Sequence, residues 1–315
     1  MLSSETYQPN NEKHVVQYGV WSDCCNNCDF CLRMVRKTTS NEWKISQIRQ
    51  IQENIKSINW ARDFAYGISL LGGELFYIRN KAVQDAFMEL IDDVIDYVLI
   101  PCPKARFSTV TNGIYKPDFL YRVIDRIVER TDITRVDVNF SYDLKYRYKS
   151  ETARLKAYNN INAFAKRYNY AVGVQMILTQ NLINLWKEGK FDVKDFIEEN
   201  FPNCNLQLLY PHPVHTGRKL DDFFFKRNDF LAFLKYLRER DNFIYLSFIN
   251  STKNSATFKY TGLNNKTSGD TKQIPILSDG KEEINPKCGH SMLYTCYSDS
   301  DKCILCDIRT LDGEI

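Results

Sequence analysis

The sequence predicts an α/β fold: an open, partial (β/α)6 barrel of parallel strands with a small Cys-rich, metal-binding hairpin at its C-terminal end. Three observations predict it. Short β-rich runs alternate with longer amphipathic stretches six times by about residue 245, and parallel neighbours need a crossover that is usually a helix. The first of these runs leads directly into four cysteines within eight positions, "CCNNCDFC" at 24–31. Four more, Cys288, Cys296, Cys303 and Cys306, follow a polar stretch that has little apolar periodicity.

The elements follow in order. The apolar run "VVQYGVW" (15–21) is the first strand, and "NEWKISQIRQIQENIKSI" (41–58) sets Ile45, Ile48, Ile51 and Ile55 at helical spacing. "YGISLLGGE" (66–74) ends in a glycine pair ahead of the helical "AVQDAFMELIDDVIDYVL" (82–99), and "ARFSTVTNG" (105–113) precedes "PDFLYRVIDRIVER" (117–130). "RVDVNFSYD" (135–143), "YAVGVQMILT" (170–179) and "NLQLLY" (205–210) are the remaining strands, separated by "ETARLKAYNNINAFAKRY" (151–168) and "VKDFIEEN" (193–200). Cys102 and Cys204 precede the third and sixth strands and read as buried small hydrophobes. The barrel is expected over 1–248, a polar linker or substrate loop over 249–287, and the Cys-rich region over 288–315, around a turn-like "DSD".

Composition narrows the function classes. With 315 residues, 43% hydrophobic and 13% aromatic, the chain can bury a substantial core. Its 42 basic and 39 acidic residues leave a formal charge of +3, too weak a field to argue by itself for a polynucleotide or a membrane. The opening "MLSSETYQPNNEKHVVQYGV" has no basic segment followed by an apolar run, and no window approaches about 18 apolar residues. A soluble, cytoplasmic protein is expected, and its ten cysteines then favour metal ligation or redox chemistry over disulfides.

Cys24, Cys28 and Cys31 form C-x3-C-x2-C, with Phe30 just before the third cysteine. Four thiolates close a tetrahedral zinc site or fully ligate an iron–sulfur cube, whereas three leave one iron of a 4Fe–4S cluster open for a cofactor. Cys25 falls outside the spacing and reads as a bystander; in a zinc knuckle, Cys25 or Asp23 would be the fourth ligand. "LGGE" (71–74) ends the second strand, and glycine there lets backbone approach a ligand closely or take positive φ. "TNG" (111–113) and "SYD" (141–143) end the third and fourth strands, offering hydroxyl, amide and carboxylate groups that suit either ribose hydroxyls or turn and capping roles.

The cysteine loop, including its aromatic residue Phe30, resembles the cluster loop of the radical S-adenosylmethionine superfamily, and the likeness extends over roughly residues 15 to 245. It implies a TIM-like partial barrel whose 4Fe–4S cluster binds the amino and carboxylate groups of S-adenosylmethionine through the open iron. On this likeness the cofactor is reductively cleaved to a 5'-deoxyadenosyl radical, which abstracts hydrogen from a substrate. Gly72, Gly73 and Glu74 match the motif that holds the cofactor's amino group. Thr111, Asn112, Ser141 and Asp143 match positions that line the cofactor and its ribose. Arg147 would pair with the methionyl carboxylate, with a solvated helix charge as the alternative. Gln175 and Met176 are adenine-side candidates by location, and Met176 reads equally as core. All these residues fall at the C-terminal ends of strands, where βα loops assemble active sites.

At the C-terminal end, Cys288, Cys296, Cys303 and Cys306, together with "HTGRK" (215–219), resemble the twitch or SPASM auxiliary-cluster domains of such enzymes. Their C-x7-C-x6-C-x2-C spacing departs from the usual SPASM pattern, and they would hold a second 4Fe–4S cluster or a structural zinc. Tyr210, His212 and His215, after the sixth strand, are the substrate candidates. The expected partners are an electron donor such as a flavodoxin or ferredoxin and a peptide or small-molecule substrate, with no membrane. The alternatives are a radical enzyme that modifies a nucleotide or nucleic acid, and a non-enzymatic zinc-binding α/β protein.

Overall fold

The computed structural model describes residues 15–26, 28–31, 39–60, 67–170, 172–211 and 222–257, together with 304, 307 and 308. Six strands form one sheet in the order β1-β2-β3-β4-β5-β6: β1 Val15–Gly19, β2 Gly67–Leu71, β3 Arg106–Thr111, β4 Val136–Ser141, β5 Val172–Ile177 and β6 Cys204–Leu209. Every neighbouring pair is parallel. Because the spatial order equals the chain order, each crossover steps the same way and the helices collect on one face of the sheet. A doubly wound fold would reverse the order partway.

The helices are α1 Asn41–Ser57, α2 Lys81–Val94, α3 Asp118–Arg130, α4 Glu151–Tyr168, α5 Gln180–Lys187, α6 Val193–Asn200, α7 Arg227–Arg240 and α8 Asn242–Thr257. Their starts are set by capping residues whose side chains accept backbone N–H groups: Ser40 from Trp43, Asn80 from Val83, Ser150 from Ala153 and Thr179 from Leu182. Ile48, Ile51 and Ile55 bury the inner stripe of α1, while Ile45 packs only partly against it. The stretch at 82–99 is not one uniform helix, since α2 passes into a π-helical turn at Ile95–Leu99. Helix α8 runs on to Thr257, into the polar stretch that begins at 250, because its first half carries Ile244, Tyr245, Phe248 and Ile249 into the core.

Alternation along the strands separates two rows. Val136, Val138 and Phe140 of β4, paired in register with Phe107, Thr109 and Thr111 of β3, face the helices; the Phe140 ring lies 5.3 Å from that of Phe164 on α4. The opposite row carries Gln17, Ser69, Ser108, Asn139, Gln175 and Gln207, which lines the other face of the sheet with amides and hydroxyls. Gly173 keeps that row open for Asn139, whose Oδ1 would overlap a Cβ at position 173. Cys102 is buried as expected, whereas Cys204 is the first residue of β6 and only half-buried. Of the C-terminal region, Ile304 and Ile308 are buried in the same core cluster as the barrel, and Arg227 makes a bidentate pair with Asp307 at 2.8 and 2.9 Å.

Phe140 is 1% exposed and belongs to the layer that joins sheet and helices. Phe140→Ala is expected to lower unfolding stability by about 3–5 kcal/mol, measured by urea denaturation.

Candidate metal and cofactor site

Parallel strands connected in sequence deliver all their C-terminal turns to one rim, and the cysteine loop sits there after β1. Two neighbours hold it. On one side the turn after β2 binds its backbone: Gly73 N donates to Trp21 O at 2.9 Å and Glu74 N to Asp23 O at 2.8 Å. A Cβ at Gly73 would run into the carbonyl oxygens of Ser22 and Asp23, and one at Gly72 would run into Leu75 Cδ2. Gly73 is therefore required by the approach of the cysteine loop itself, and Gly72 by the packing of Leu75; neither residue has positive φ, so that part of the sequence expectation is corrected. On the other side the loop after β4 takes hold. Asp29 N donates to Tyr146 O at 2.9 Å, and Lys149 forms an ion pair with Asp29. Tyr146 makes that contact at φ 69°, in the left-handed region that a bulky residue occupies only when its surroundings enforce it.

The sulfurs are met by N–H donors. Asn26 donates from its backbone N to Cys24 Sγ and from Nδ2 to Cys28 Sγ, both at 3.4 Å. Asn112 Nδ2 lies 3.4 Å from Cys25 Sγ and 3.9 Å from Cys24 Sγ, and Arg147 Nη1 lies 3.9 Å from Cys28 Sγ. The Arg147 guanidinium also stands 4.9 Å above the Phe30 ring and pairs with Asp143, whose other oxygen accepts Ile177 N at 2.7 Å. Phe30 in turn stacks on Phe223, with ring centroids 5.8 Å apart.

These surroundings set the proton affinities. Burial pushes the Cys28 thiol up to about 11, against the pull of Arg147. Hydrogen bonding to Cys24, and then burial, raise Cys25. Burial alone would lower Arg147, but Asp143 and Cys28 overcome it and hold the guanidinium protonated, while burial pushes Asp143 up against Arg147 and the Ile177 N–H. A metal must displace the Cys28 proton on binding, so its uptake releases acid.

Glu74 is 3% exposed and fully committed inside the protein. Its Oε1 accepts Thr111 Oγ1 at 2.8 Å and Phe76 N at 3.4 Å, and its Oε2 accepts Asn112 N at 2.8 Å. Thr111 is thus turned to Glu74, and Asn112 Oδ1 closes a turn by accepting Ile114 N at 3.0 Å while its amide faces the cysteines. The carboxylate ties the ends of β2 and β3 together behind the loop.

Phe30, Asp143 and Met176 line one small cleft beside the loop, together with Tyr146 and Thr179. Met176 is 1% exposed, and Gln175 is on the polar row, donating to Gln207 Oε1 at 2.8 Å. Ser141 is on the same row, and its carbonyl accepts Tyr148 Oη at 3.0 Å. Cys31 is half-buried and closes the loop with its N–H on Cys28 O at 3.3 Å. Tyr210 is buried, its ring 6.0 Å from Phe225, so the structure packs this substrate candidate into the core. His212, His215, Cys288, Cys296, Cys303 and Cys306 lie outside the described residues. Sequence reasoning missed Asn26, Tyr146 and Lys149: Asn26 lay in plain view between the cysteines, but no local pattern marks a partner more than a hundred residues away.

The chemistry of three spaced thiols suits an iron–sulfur cluster on Cys24, Cys28 and Cys31, with N–H groups aimed at the sulfurs of Cys24 and Cys28. A closed zinc site would need a fourth donor at the loop beside these three. Asp23 is turned away, its carboxylate taken by Thr39 N at 3.0 Å, Thr39 Oγ1 at 2.9 Å and Lys44 Nζ at 2.6 Å.

Together these features define a class of fold: an open parallel α/β barrel with a three-cysteine loop clamped on its C-terminal rim. Solved structures share the α/β fold, without regard to the cysteine loop. The native protein anSMEcpe with AdoMet bound aligns with a TM-score of 0.50 and 16% identity, over 76% of this chain and 66% of its own. Its polyhistidine-tagged form, also with AdoMet bound, gives 0.51 and 14%, over 76% and 63%. SuiB of Streptococcus suis gives 0.46 and 13%, over 76% and 55%. Each match spans less than two thirds of the solved chain, and at these identities the likeness is one of fold. No protein-family model matches the sequence, and no curated protein matches it. Among the described residues no helix is long and apolar enough to cross a membrane.

Burial raises the Glu74 carboxyl from 4.5 to about 7 in the folded chain. The native state then binds the proton more tightly than the unfolded state, so this contribution is intact below the unfolded value and is lost as pH rises through the folded one. Glu74→Gln is expected to flatten the pH dependence of stability. Between pH 5 and pH 8, the metal-free wild type should lose on the order of 2–3 kcal/mol more than the variant in urea unfolding. Equal slopes would mean that Glu74 is ionised without strain.

Proposed function

We propose that this chain is a radical S-adenosylmethionine enzyme. The observation that carries the reading is the set of N–H donors from Asn26, Asn112 and Arg147 on the sulfurs of Cys24 and Cys28, in a loop that offers three thiols rather than four at its cluster spacing. When bound, a 4Fe–4S cluster with one open iron supplies an electron that cleaves S-adenosylmethionine to methionine and a 5'-deoxyadenosyl radical, which abstracts hydrogen from the substrate.

The chain's own residues have distinct tasks in this reading. Cys24, Cys28 and Cys31 bind the cluster. Asn26, Asn112 and Arg147 spread the negative charge of the thiolates, which makes the cluster easier to reduce. Asp143 orients Arg147, and is itself fixed by Ile177 N. Phe30, covered by Arg147 and Phe223, shields the loop from water and lines the cleft that Met176 and Asp143 also line. Glu74 and the glycine pair hold the loop in register, and the backbone there is the part of the motif that a cofactor amino group would meet. The polar row of Asn139, Gln175 and Gln207 offers amides that both donate and accept, which suits a peptide or a small polar metabolite as substrate. A second cluster or a zinc at Cys288, Cys296, Cys303 and Cys306 belongs to the same proposal.

Anaerobically reconstituted protein is expected to hold iron and sulfide and, once reduced, to release 5'-deoxyadenosine and methionine from S-adenosylmethionine, measured by chromatography. Cys28→Ala should abolish release and lower bound iron. Iron-free protein holding zinc, or release unchanged in Cys28→Ala, would overturn the reading.

A further inference from the structure

Among the described strand residues, the row of amides and hydroxyls on the open face of the sheet carries just two charges, Arg106 and Asp137. Arg106 is the first residue of β3, and Asp137 stands opposite Ser108 in β4. Arg106 Nη2 makes two contacts, 2.7 Å to Asp137 Oδ1 and 2.7 Å to Tyr170 Oη. Its Nε is buried and has no hydrogen-bond partner among the described residues.

The three side chains are only partly satisfied by one another. A guanidinium holds five N–H donors in a fixed fork, and a carboxylate accepts at two oxygens. Here the contacts among described residues employ one nitrogen of the first and one oxygen of the second. The Tyr170 hydroxyl accepts Nη2 and keeps its own proton to donate. Both charged side chains remain reachable, Arg106 being 40% and Asp137 38% exposed. Burial nonetheless pushes the Asp137 carboxyl up, against the pull of Arg106. The open ends thus present N–H and O–H donors on one side and a carboxylate oxygen, Oδ2, on the other.

Charge decides what fits them. A lone carboxylate would be repelled by Asp137 and a lone ammonium by Arg106, and the amides and hydroxyls of the row are neutral and offset neither. A zwitterion answers both charges and leaves none in excess. We propose that Arg106, Asp137 and Tyr170 bind the head group of a free α-amino acid substrate, with its carboxylate on Arg106 and Tyr170 and its ammonium on Asp137 Oδ2. The inference rests on the radical-enzyme reading and narrows its substrate from polar molecules in general to an α-amino acid. Arg106 lies five residues before Thr111 on β3, about 17 Å at about 3.3 Å per residue, and Asn112, the next residue, is the one that reaches Cys24. The head group is therefore held well below the cysteines. A long side chain running past Ser108 and Asn139 carries its far carbons toward the rim. The interior of a peptide has neither charge and leaves the pair unanswered.

The test measures binding of free L-amino acids to the intact, reconstituted protein by saturation-transfer NMR and calorimetry, alongside the N-acetyl and carboxamide derivatives of those that bind. Amino acids with long side chains should bind saturably. Each derivative lacks one charge of the head group and should bind about tenfold more weakly or worse, because the site's own charge is then left unpaired. That comparison uses the wild-type chain alone, so no folding defect enters it. Arg106→Met and Asp137→Asn should each weaken binding about tenfold, with Arg106→Lys between Arg106→Met and the wild type. S-adenosylmethionine should not displace the amino acid. Derivatives that bind as well as their parents, variants that bind as well as the wild type, or displacement by S-adenosylmethionine overturns the proposal. So does the absence of saturable binding in protein that releases 5'-deoxyadenosine. Binding by a chain that takes up no iron and sulfide upholds the head-group site and overturns the functional reading, so the two failures are told apart.

Discussion

The structure depends on a short loop of thiols being held from two sides by strands that are distant in sequence. The described residues of 21–31 form no helix or strand of their own, yet their backbone polar groups need partners where the loop is covered. It finds them in Gly73 and Glu74 after β2, and in Tyr146 after β4. Both partners exist only because consecutive parallel strands bring their C-terminal ends to one rim. The loop thus reports whether the sheet has formed, and the sheet fixes where the sulfurs stand.

The same constraint organises the charges. Bringing the loop against β2 and β4 half-buries Cys28 and buries Asp143 and Glu74, and burial raises the proton affinity of each. Arg147 is the counterweight. It has 11% of its side chain exposed, sits between Asp143 and Cys28, and covers Phe30. One guanidinium therefore serves as ion-pair partner, sulfur donor and lid, a combination that its planar fork of donors permits and a lysine could not reproduce. Glu74 plays the corresponding part on the other side without a cation, through three N–H and O–H donors.

Most of the fold was legible in the sequence because periodicity is local. "ETARLKAYNNINAFAKRY" coincides with α4 at Glu151–Tyr168, "VKDFIEEN" with α6 at Val193–Asn200, and all six strands overlap their expected runs. The misses have local causes as well. The π turn at Ile95–Leu99 keeps the same apolar faces as the helix before it, and the polar end of α8 is carried by its apolar start. The site was half legible. The cysteines, Glu74, Asp143 and Arg147 could be singled out, but what each one touches could not. Glu74 meets Thr111 and Asn112, and Arg147 meets Cys28 across 119 positions, through contacts that only the assembled rim creates. Tyr210, after its strand, packs against Phe225, a partner in an aromatic run that carries no periodic signal.

The central claim is that Cys24, Cys28 and Cys31 hold an iron–sulfur cluster with one iron left open. Electron paramagnetic resonance of the reduced protein, recorded with and without S-adenosylmethionine, tests it most directly. The expected result is the signal of a reduced 4Fe–4S cluster whose line shape changes when the cofactor is added and is lost in Cys24→Ala. A cluster signal indifferent to the cofactor, or one that survives the loss of Cys24, would contradict it.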